Sequence, residues 1–135
     1  MLESTFRPVK AEVLDEHTMH SEWGTVDSRA IEQIESCHNR SGRVIAVGTT
    51  TTRILETAAR NLPLAPWTGS TDIFIRPGFD FHCLDGLITN FHFPRSTLLV
   101  LVRTFGGDEL MREAYRKAIE QKYRFFSYGD AMLII

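Results

Sequence analysis

The sequence predicts an α/β fold, in which a single domain with a mixed sheet is flanked by helices. The first observation behind this prediction is a helix at residues 27–39, followed by an apolar strand at 43–47 and a second helix at 50–60. The second observation is a strand at residues 79–88 that leads into a largely apolar helix at 96–105. Because strands alternate with helices along the chain, the sheet is expected to include parallel strands.

The first helix and the strand after it are indicated by a cap and by their apolar positions. Asp27 or Ser28 can cap the helix, and Ile31 and Ile34 form its buried stripe. The run Val-Ile-Ala-Val at residues 44–47 is continuous and short, which is typical of a strand buried in a parallel sheet.

The second half of the chain continues with a loop, two strands and a helix. Trp67 lies in a loop that contains proline and glycine, where it can stack on a base or pack back onto the domain. A strand follows at residues 71–75, and a strand at 132–135 ends the chain. Asp108 is predicted to cap a last amphipathic helix at residues 108–121. The apolar positions of that helix are Leu110, Met111, Ala114, Tyr115, Ala118 and Ile119.

The composition is that of a soluble globular protein. Of the 135 residues, 43% are hydrophobic and 24% are charged, with no apolar run of membrane-spanning length and no secretory signal. The net charge of −2 does not favour a domain that binds RNA through phosphates alone. Cys37 and Cys83 are expected to be free thiols in a reducing cytoplasm.

The loop between the strand at 79–88 and the next helix is unusually rich in polar side chains. Thr89, Asn90, His92 and Arg95 lie there, and Ser96 or Thr97 can cap the helix. Loops that leave a strand for a helix are where α/β domains place groups that bind ligands. The alternative is that these side chains only satisfy local backbone groups.

A second polar group lies near the start of the chain, after residues 1–12, which are expected to be extended. His17, His20 and Glu22 are metal ligands by type, but their spacing does not match a helical metal-binding pair. The alternative is a surface loop whose histidines form hydrogen bonds.

Gly48 and the threonines after it join the strand at 43–47 to a helix. Free N–H groups at such a helix start favour an anion, so Gly48, Thr49, Thr50 and Arg53 are candidates for holding a carboxylate, ribose or phosphate. The alternative is that the threonines cap the helix. If both polar loops serve one site, the 48–53 turn and the 89–96 loop should lie at the same edge of the sheet.

Residues 85–96, Asp-Gly-Leu-Ile-Thr-Asn-Phe-His-Phe-Pro-Arg-Ser, resemble the hallmark motif of the S-adenosylmethionine:tRNA ribosyltransferase-isomerase family. Five other segments are similar to family motifs, in family order: 6–9, 17–22, 47–50, 71–75 and 123–132. The resemblance implies the C-terminal part of the family's α/β domain, incomplete at its N-terminal side and lacking the inserted β-barrel domain.

The resemblance also implies a reaction. The ribosyl part of S-adenosylmethionine moves onto the aminomethyl group of a 7-deazaguanine at the tRNA wobble position, giving epoxyqueuosine and releasing adenine and methionine. S-adenosylmethionine is then a substrate, with no prosthetic group and no metal, and tRNA is the partner. The chain is expected to be cytoplasmic, to have no membrane partner and to self-associate through an incomplete sheet edge.

The implied site combines acid–base groups with groups that hold the substrate. The catalytic candidates on matched motifs are His20, Glu22, His92 and Asp130. The candidates for substrate binding are Gly48, Thr49, Thr50, Arg53, Thr89, Asn90, Arg124 and Ser127. We expect His92→Ala or Asn90→Ala to lower turnover in an intact family enzyme with little loss of stability. The alternatives are a truncated, non-catalytic remnant and a ligand- or RNA-binding module, and little activity is expected from this chain alone.

Overall fold

The structure, a computed structural model, describes residues 19–60 and 63–135 of the chain. In order, its elements are β1 (Glu22–Val26), α1 (Ser28–Asn39), β2 (Ile45–Val47), α2 (Thr49–Ala58), β3 (Trp67–Thr71), β4 (Gly86–Asn90), α3 (Thr97–Gly106), α4 (Asp108–Glu120) and β5 (Ala131–Ile134). None of the helices in these two ranges is long and apolar enough to span a bilayer. The extended segment predicted at residues 1–12, and His17, lie outside the described residues.

The strands form two sheets. β1 and β3 pair in an antiparallel ribbon in which Trp23 lies opposite Ser70 and Gly24 opposite Gly69. The other sheet has the strand order β2-β4-β5, and β2 runs parallel to β4 with Ala46 opposite Leu87. The predicted α/β fold, with both parallel and antiparallel pairs and helices beside them, is therefore confirmed, while the assignment of one domain stays a prediction.

The described residues fall into two compact units. The ribbon unit contains Ser21–Ile73, Asp80–Ile88 and Leu133–Ile135, apart from the two residues that are not described. The hairpin unit contains residues 19–20, 74–79 and 89–132, and its helices are α3 and α4.

The core of the ribbon unit forms where the predicted helices bury their apolar stripes. Asp27 caps α1, since its Oδ1 accepts a hydrogen bond of 2.8 Å from the Ala30 amide, as the sequence predicts. Ile31 of α1 packs with Val26, Ile54 and Ala58 in one apolar cluster. Ile34 packs with Ala59 and Cys83 in a second cluster. Helix α1 is thus held in place by the residues that predicted it, and α2 packs against it.

The strands of the ribbon unit depart from the sequence prediction. β2 has three residues, and only Ala46 is buried, whereas Ile45 is 36% and Val47 65% exposed. The prediction of a fully buried strand was wrong, because alternate side chains point to opposite faces and only one face of β2 is covered in the described part of the chain.

Two other strand predictions need correction. No strand forms at 71–75; instead β3 ends at Thr71, because its partner is β1, a strand that the sequence did not predict. The strand predicted at 79–88 begins only at Gly86. The amides of residues 82–84 do not pair with a neighbouring strand; instead, they donate hydrogen bonds to the side chain of Glu56.

The hairpin unit is built on α3 and α4. Ser96 caps α3, its Oγ accepting a 3.1 Å hydrogen bond from the Leu98 amide, as predicted. Gly107, at φ 91°, joins the two helices in a conformation that favours glycine. Asp108 was predicted to cap α4, but it is the first helical residue, and its carboxylate pairs with Arg103 and, at 3.1 Å, with Arg112.

The two thiols differ in burial, which gives a test of the fold. In the described residues both cysteines are free, as predicted; Cys37 is half-buried, whereas Cys83 is 2% exposed. Burial, followed by the charges of Glu56 and Asp85, raises the pKa of the Cys83 thiol to about 12. We expect Ellman's reagent to modify Cys37 in the folded chain and Cys83 only after denaturation. In Cys37→Ser, no rapid modification should remain, and rapid loss of a second thiol in the folded chain would contradict this packing.

Candidate functional site

The predicted site residues lie in both units. The ribbon unit holds Glu22, Gly48, Thr49, Thr50 and Arg53. The hairpin unit holds His20, Thr89, Asn90, His92, Arg124, Ser127 and Asp130. Within the described residues, no group of three or more histidine, cysteine, aspartate or glutamate side chains could hold a metal ion.

The turn at Gly48 begins at the carboxyl edge of a parallel strand pair. Its amide donates a 2.8 Å hydrogen bond to the carbonyl oxygen of Ile88, the residue paired with Val47. Because β2 and β4 are parallel, the chain leaves both strands at this edge, as the sequence predicts. Gly48 has φ 95° and precedes α2 without a side-chain cap, so a glycine suits this conformation.

The four threonines at the start of α2 do not cap it, contrary to one interpretation of the sequence. Thr52 is buried, and its hydroxyl donates to the Gly48 carbonyl at 2.9 Å. Thr49 is also buried, whereas Thr50 and Thr51 are exposed. Of these hydroxyl groups, those of Thr50 and Thr51 are therefore the ones available to a ligand from solvent.

Arg53 lies inside the ribbon unit, 2% exposed, and not on a solvated helix face. Its Nε donates to the Ile73 carbonyl at 3.1 Å and its Nη2 to the Thr71 carbonyl at 3.4 Å. Its Nη1 lies 3.4 Å from Oε2 of Glu22. Burial lowers the pKa of Arg53, and the negative charges of Glu22 and Asp72 act in the opposite direction. This geometry suits a residue that positions Glu22 and β3.

Glu56, which was not predicted as a functional residue, is a buried carboxylate with three backbone partners in the ribbon unit. It is 0% exposed, and its carboxylate accepts from the amides of His82, Cys83 and Leu84 at 2.6, 2.8 and 3.0 Å. Its spacing of three residues from Arg53, on a helix with apolar neighbours, was the only signal in the sequence. Glu56 fixes the chain that enters β4.

His92, in the hairpin unit, is a buried and neutral imidazole. It is 3% exposed, its Nε2 lies 2.9 Å from the Thr89 hydroxyl, and its amide donates to the Tyr115 hydroxyl at 2.9 Å. Burial lowers the pKa of His92 to about 4 and raises that of Tyr115 to about 12. The expectation that His92→Ala barely affects stability does not fit this burial, because truncation leaves a cavity and a hydroxyl without its partner.

The pKa of His92 makes stability depend on pH in a defined window. Below pH 6.5 the unfolded chain binds a proton at His92 that the folded chain binds only near pH 4, so stability falls as the pH falls through this range. We expect this residue to account for a loss of up to about 3 kcal/mol in the free energy of unfolding. Urea denaturation from pH 7 to pH 4 should show a flatter profile for His92→Gln. The exposed His82→Gln is the control, and an equal effect in both would contradict the assignment.

Hydrogen bonds join Asp130 to both Asn90 and Arg124. The Asn90 amide group donates to the Asp130 carbonyl at 3.2 Å, and the Asp130 carboxylate accepts from the Arg124 amide at 2.7 Å and from its guanidinium at 3.4 Å. These contacts lower the pKa of Asp130, the backbone hydrogen bond from Arg124 contributing most. Gly129 is required here, since a Cβ would lie 2.6 Å from the Phe125 carbonyl oxygen.

The loop at residues 124–130 also contains Ser127, which is half-buried, and it is anchored by aromatic rings. The Phe126 amide donates to the Phe91 carbonyl at 3.1 Å. The ring of Phe91 lies 5.3 to 5.7 Å, between centroids, from the rings of Tyr115, Tyr123 and Phe125. The segment after β4 is thereby joined to the segment before β5.

Several known proteins are similar to this chain in sequence and in fold. The chain is 58% identical over 130 residues to the S-adenosylmethionine:tRNA ribosyltransferase-isomerase of Coxiella burnetii strain RSA 331, covering 96% of this chain and 38% of that protein. It is 58% identical over 133 residues to the enzyme of the same name from Heliobacterium modesticaldum, covering 97% of this chain and 39% of that protein. The chain thus spans about two fifths of the length of these curated relatives.

A solved structure and a family model agree with these relatives. The crystal structure of an S-adenosylmethionine tRNA ribosyltransferase from Thermotoga maritima superposes with a TM-score of 0.80 at 49% identity, over 84% of this chain and 40% of that one. The family model described as "Queuosine biosynthesis protein" matches residues 3–134. Because this match spans nearly the whole chain, the chain belongs to the family of queuosine biosynthesis proteins.

Proposed function

We propose that this chain forms part of the site of an S-adenosylmethionine:tRNA ribosyltransferase-isomerase. The reaction transfers and isomerises the ribosyl moiety of S-adenosylmethionine onto 7-aminomethyl-7-deazaguanine at the tRNA wobble position, and it releases adenine and methionine. The observation that carries the proposal is the hydrogen bond from Asn90 to Asp130, which joins the two longest of the matched motifs, 85–96 and 123–132. A site assembled from these two motifs keeps the Asn90 side chain beside the backbone of Asp130.

Position and burial support separate roles for the candidate groups. We assign Asp130 the removal of the proton next to the sulfonium because of its position: Asn90 of the other motif donates to its backbone carbonyl, and the hydrogen bonds from Arg124 keep its carboxylate in the deprotonated form that a base needs. His92 is neutral and buried, so it suits holding Thr89 and the loop in place. His20 and Glu22 remain the candidates for helping adenine depart, and Arg53 would position Glu22.

The partners and location follow from the same proposal. S-adenosylmethionine and tRNA are the substrates, no prosthetic group is required, and the site of action is the cytoplasm. Self-association would cover the apolar side chains that β2 exposes, Ile45 and Val47.

A chimaera tests the proposal. Residues 3–134 replace the matching segment of the Coxiella burnetii enzyme, and adenine release is followed with S-adenosylmethionine and tRNA that carries the aminomethyl base. We expect turnover, and a loss of about a hundredfold in Asn90→Ala, because the loop that holds Asp130 loses its anchor. Arg112→Ala, on the exposed face of α4, is the control. A folded chimaera without adenine release would contradict the proposal, and substrate binding without turnover would favour a binding module.

A further inference from the structure

The two tryptophans of the chain have opposite environments. Trp67, which the sequence offered as a base-stacking residue, packs against the cluster of Val26, Ile31, Ile54 and Ala58. Trp23 is 68% exposed on β1 and lies opposite Ser70. An exposed indole offers a large, flat apolar surface that a ligand can contact.

Trp23 forms one wall of a cleft in the ribbon unit. The cleft has a volume of about 260 Å³. Its lining residues are Trp23, Gly24, Thr25, Val26, Ala30, Thr50, Thr51, Ile54 and Leu55. A Cβ at Gly24 would lie 2.8 Å from Cδ1 of Ile54, so glycine lets β1 lie directly against α2. The buried lining residues are apolar, and the exposed ones, Trp23 apart, are threonines.

This chemistry favours a planar, uncharged group. The lining contains an indole, apolar side chains and three hydroxyl groups, and it contains no lysine or arginine. A nucleobase matches it, because any base can stack on an indole and its edge can exchange hydrogen bonds with hydroxyl groups. A phosphate or a carboxylate would find no cationic side chain among these residues.

The small volume of the cleft points to a base that belongs to a larger molecule. Sites for whole small molecules have volumes of about 300–1,000 Å³, and the cleft, at about 260 Å³, is smaller than these. Unpaired bases in RNA loops are splayed out and stack on exposed aromatic side chains. We propose that the Trp23 cleft binds one unpaired nucleobase of the RNA substrate, stacked on the indole. The identity of that RNA as a tRNA rests on the proposed function.

Fluorescence of the 135-residue chain tests this site without turnover. In Trp67→Phe, Trp23 is the only tryptophan. We expect an RNA hairpin with an unpaired loop to quench its emission, and a blunt duplex of the same length to leave it unchanged. Equal quenching by the duplex would overturn the proposal. Quenching by free adenosine as strong as that by the hairpin would overturn the assignment to RNA.

Binding of a labelled hairpin, measured by fluorescence anisotropy, gives a second test that leaves Trp67 in place. We expect Trp23→Ala to weaken binding about tenfold and Trp23→Phe to retain most of it, because a phenyl ring still stacks. Leu110→Ala, which removes an exposed apolar side chain outside the cleft lining, is the matched control. Thermal denaturation should first show that both proteins are folded. Equal affinity of Trp23→Ala and the unchanged chain for the hairpin would then refute the site. Failure here with adenine release intact in the chimaera would refute only this inference.

Discussion

Replacing Glu56 with alanine is expected to lower the free energy of unfolding by about 3–5 kcal/mol. The Glu56 carboxylate is fully buried and accepts hydrogen bonds from three consecutive amides, those of residues 82–84. Without it, three amides lose their acceptor, and for the two buried ones, those of Cys83 and Leu84, each loss costs about 1–3 kcal/mol before the chain relaxes. Urea denaturation at neutral pH measures the effect.

Glu56→Gln separates the charge from the volume of the side chain. The amide keeps one oxygen but turns a donor group toward amides that are also donors, so it should recover only part of the loss. Glu32→Ala, an exposed glutamate in the middle of α1, is the matched control and should change stability by less than about 0.5 kcal/mol. Similar losses in Glu32→Ala and Glu56→Ala would show that the three-amide contact contributes little.

Arg53→Met is expected to have an effect of similar size, about 3–5 kcal/mol. Methionine fills much of the space of the arginine stem but leaves Glu22 and the carbonyl groups of Thr71 and Ile73 without this donor. Removing one member of a buried ion pair costs more than the pair contributes, because the other charge stays buried.

Arg53→Lys tests whether geometry or charge matters at this position. A lysine keeps the positive charge but cannot reproduce the forked donors that reach two carbonyls and a carboxylate, so it should rescue stability only partly. If Arg53 positions Glu22 for catalysis, Arg53→Lys in the chimaera should lower the turnover of each folded molecule, beyond what its loss of stability explains. Arg60→Met, exposed just after α2, is the control, and equal effects at both positions would contradict a buried role for Arg53.

The helices could be predicted from the sequence because their signals are local. Asp27 and Ser96 act as caps where the pattern placed them, and the buried stripe of Ile31 and Ile34 follows helical spacing. The α4 stripe was predicted too broadly: Met111 and Ala118 are buried, but Leu110 and Ile119 are more than 60% exposed. Periodicity identifies a helix, but the neighbours decide how wide its buried face is.

The β-ribbon and the buried charges could not be predicted in this way. β3 contains threonine, glycine and serine, and it becomes a strand only because β1, more than forty residues earlier, pairs with it. Arg53 was predicted as a substrate-binding candidate and Glu56 was not predicted at all. Their buried contacts could not be predicted because their partners, at residues 71–73 and 82–84, are distant in sequence. The candidate site was therefore predictable as a set of motifs, but not as a set of contacts.

The Glu56 contact has a consequence for hydrogen exchange. The amides of His82, Cys83 and Leu84 lie outside any helix or strand, a setting in which exchange with solvent is ordinarily fast. Here a single carboxylate holds all three, so one withdrawal of Glu56 would release them together. These amides should then exchange slowly and with nearly equal protection factors, as a cooperative unit made of irregular chain.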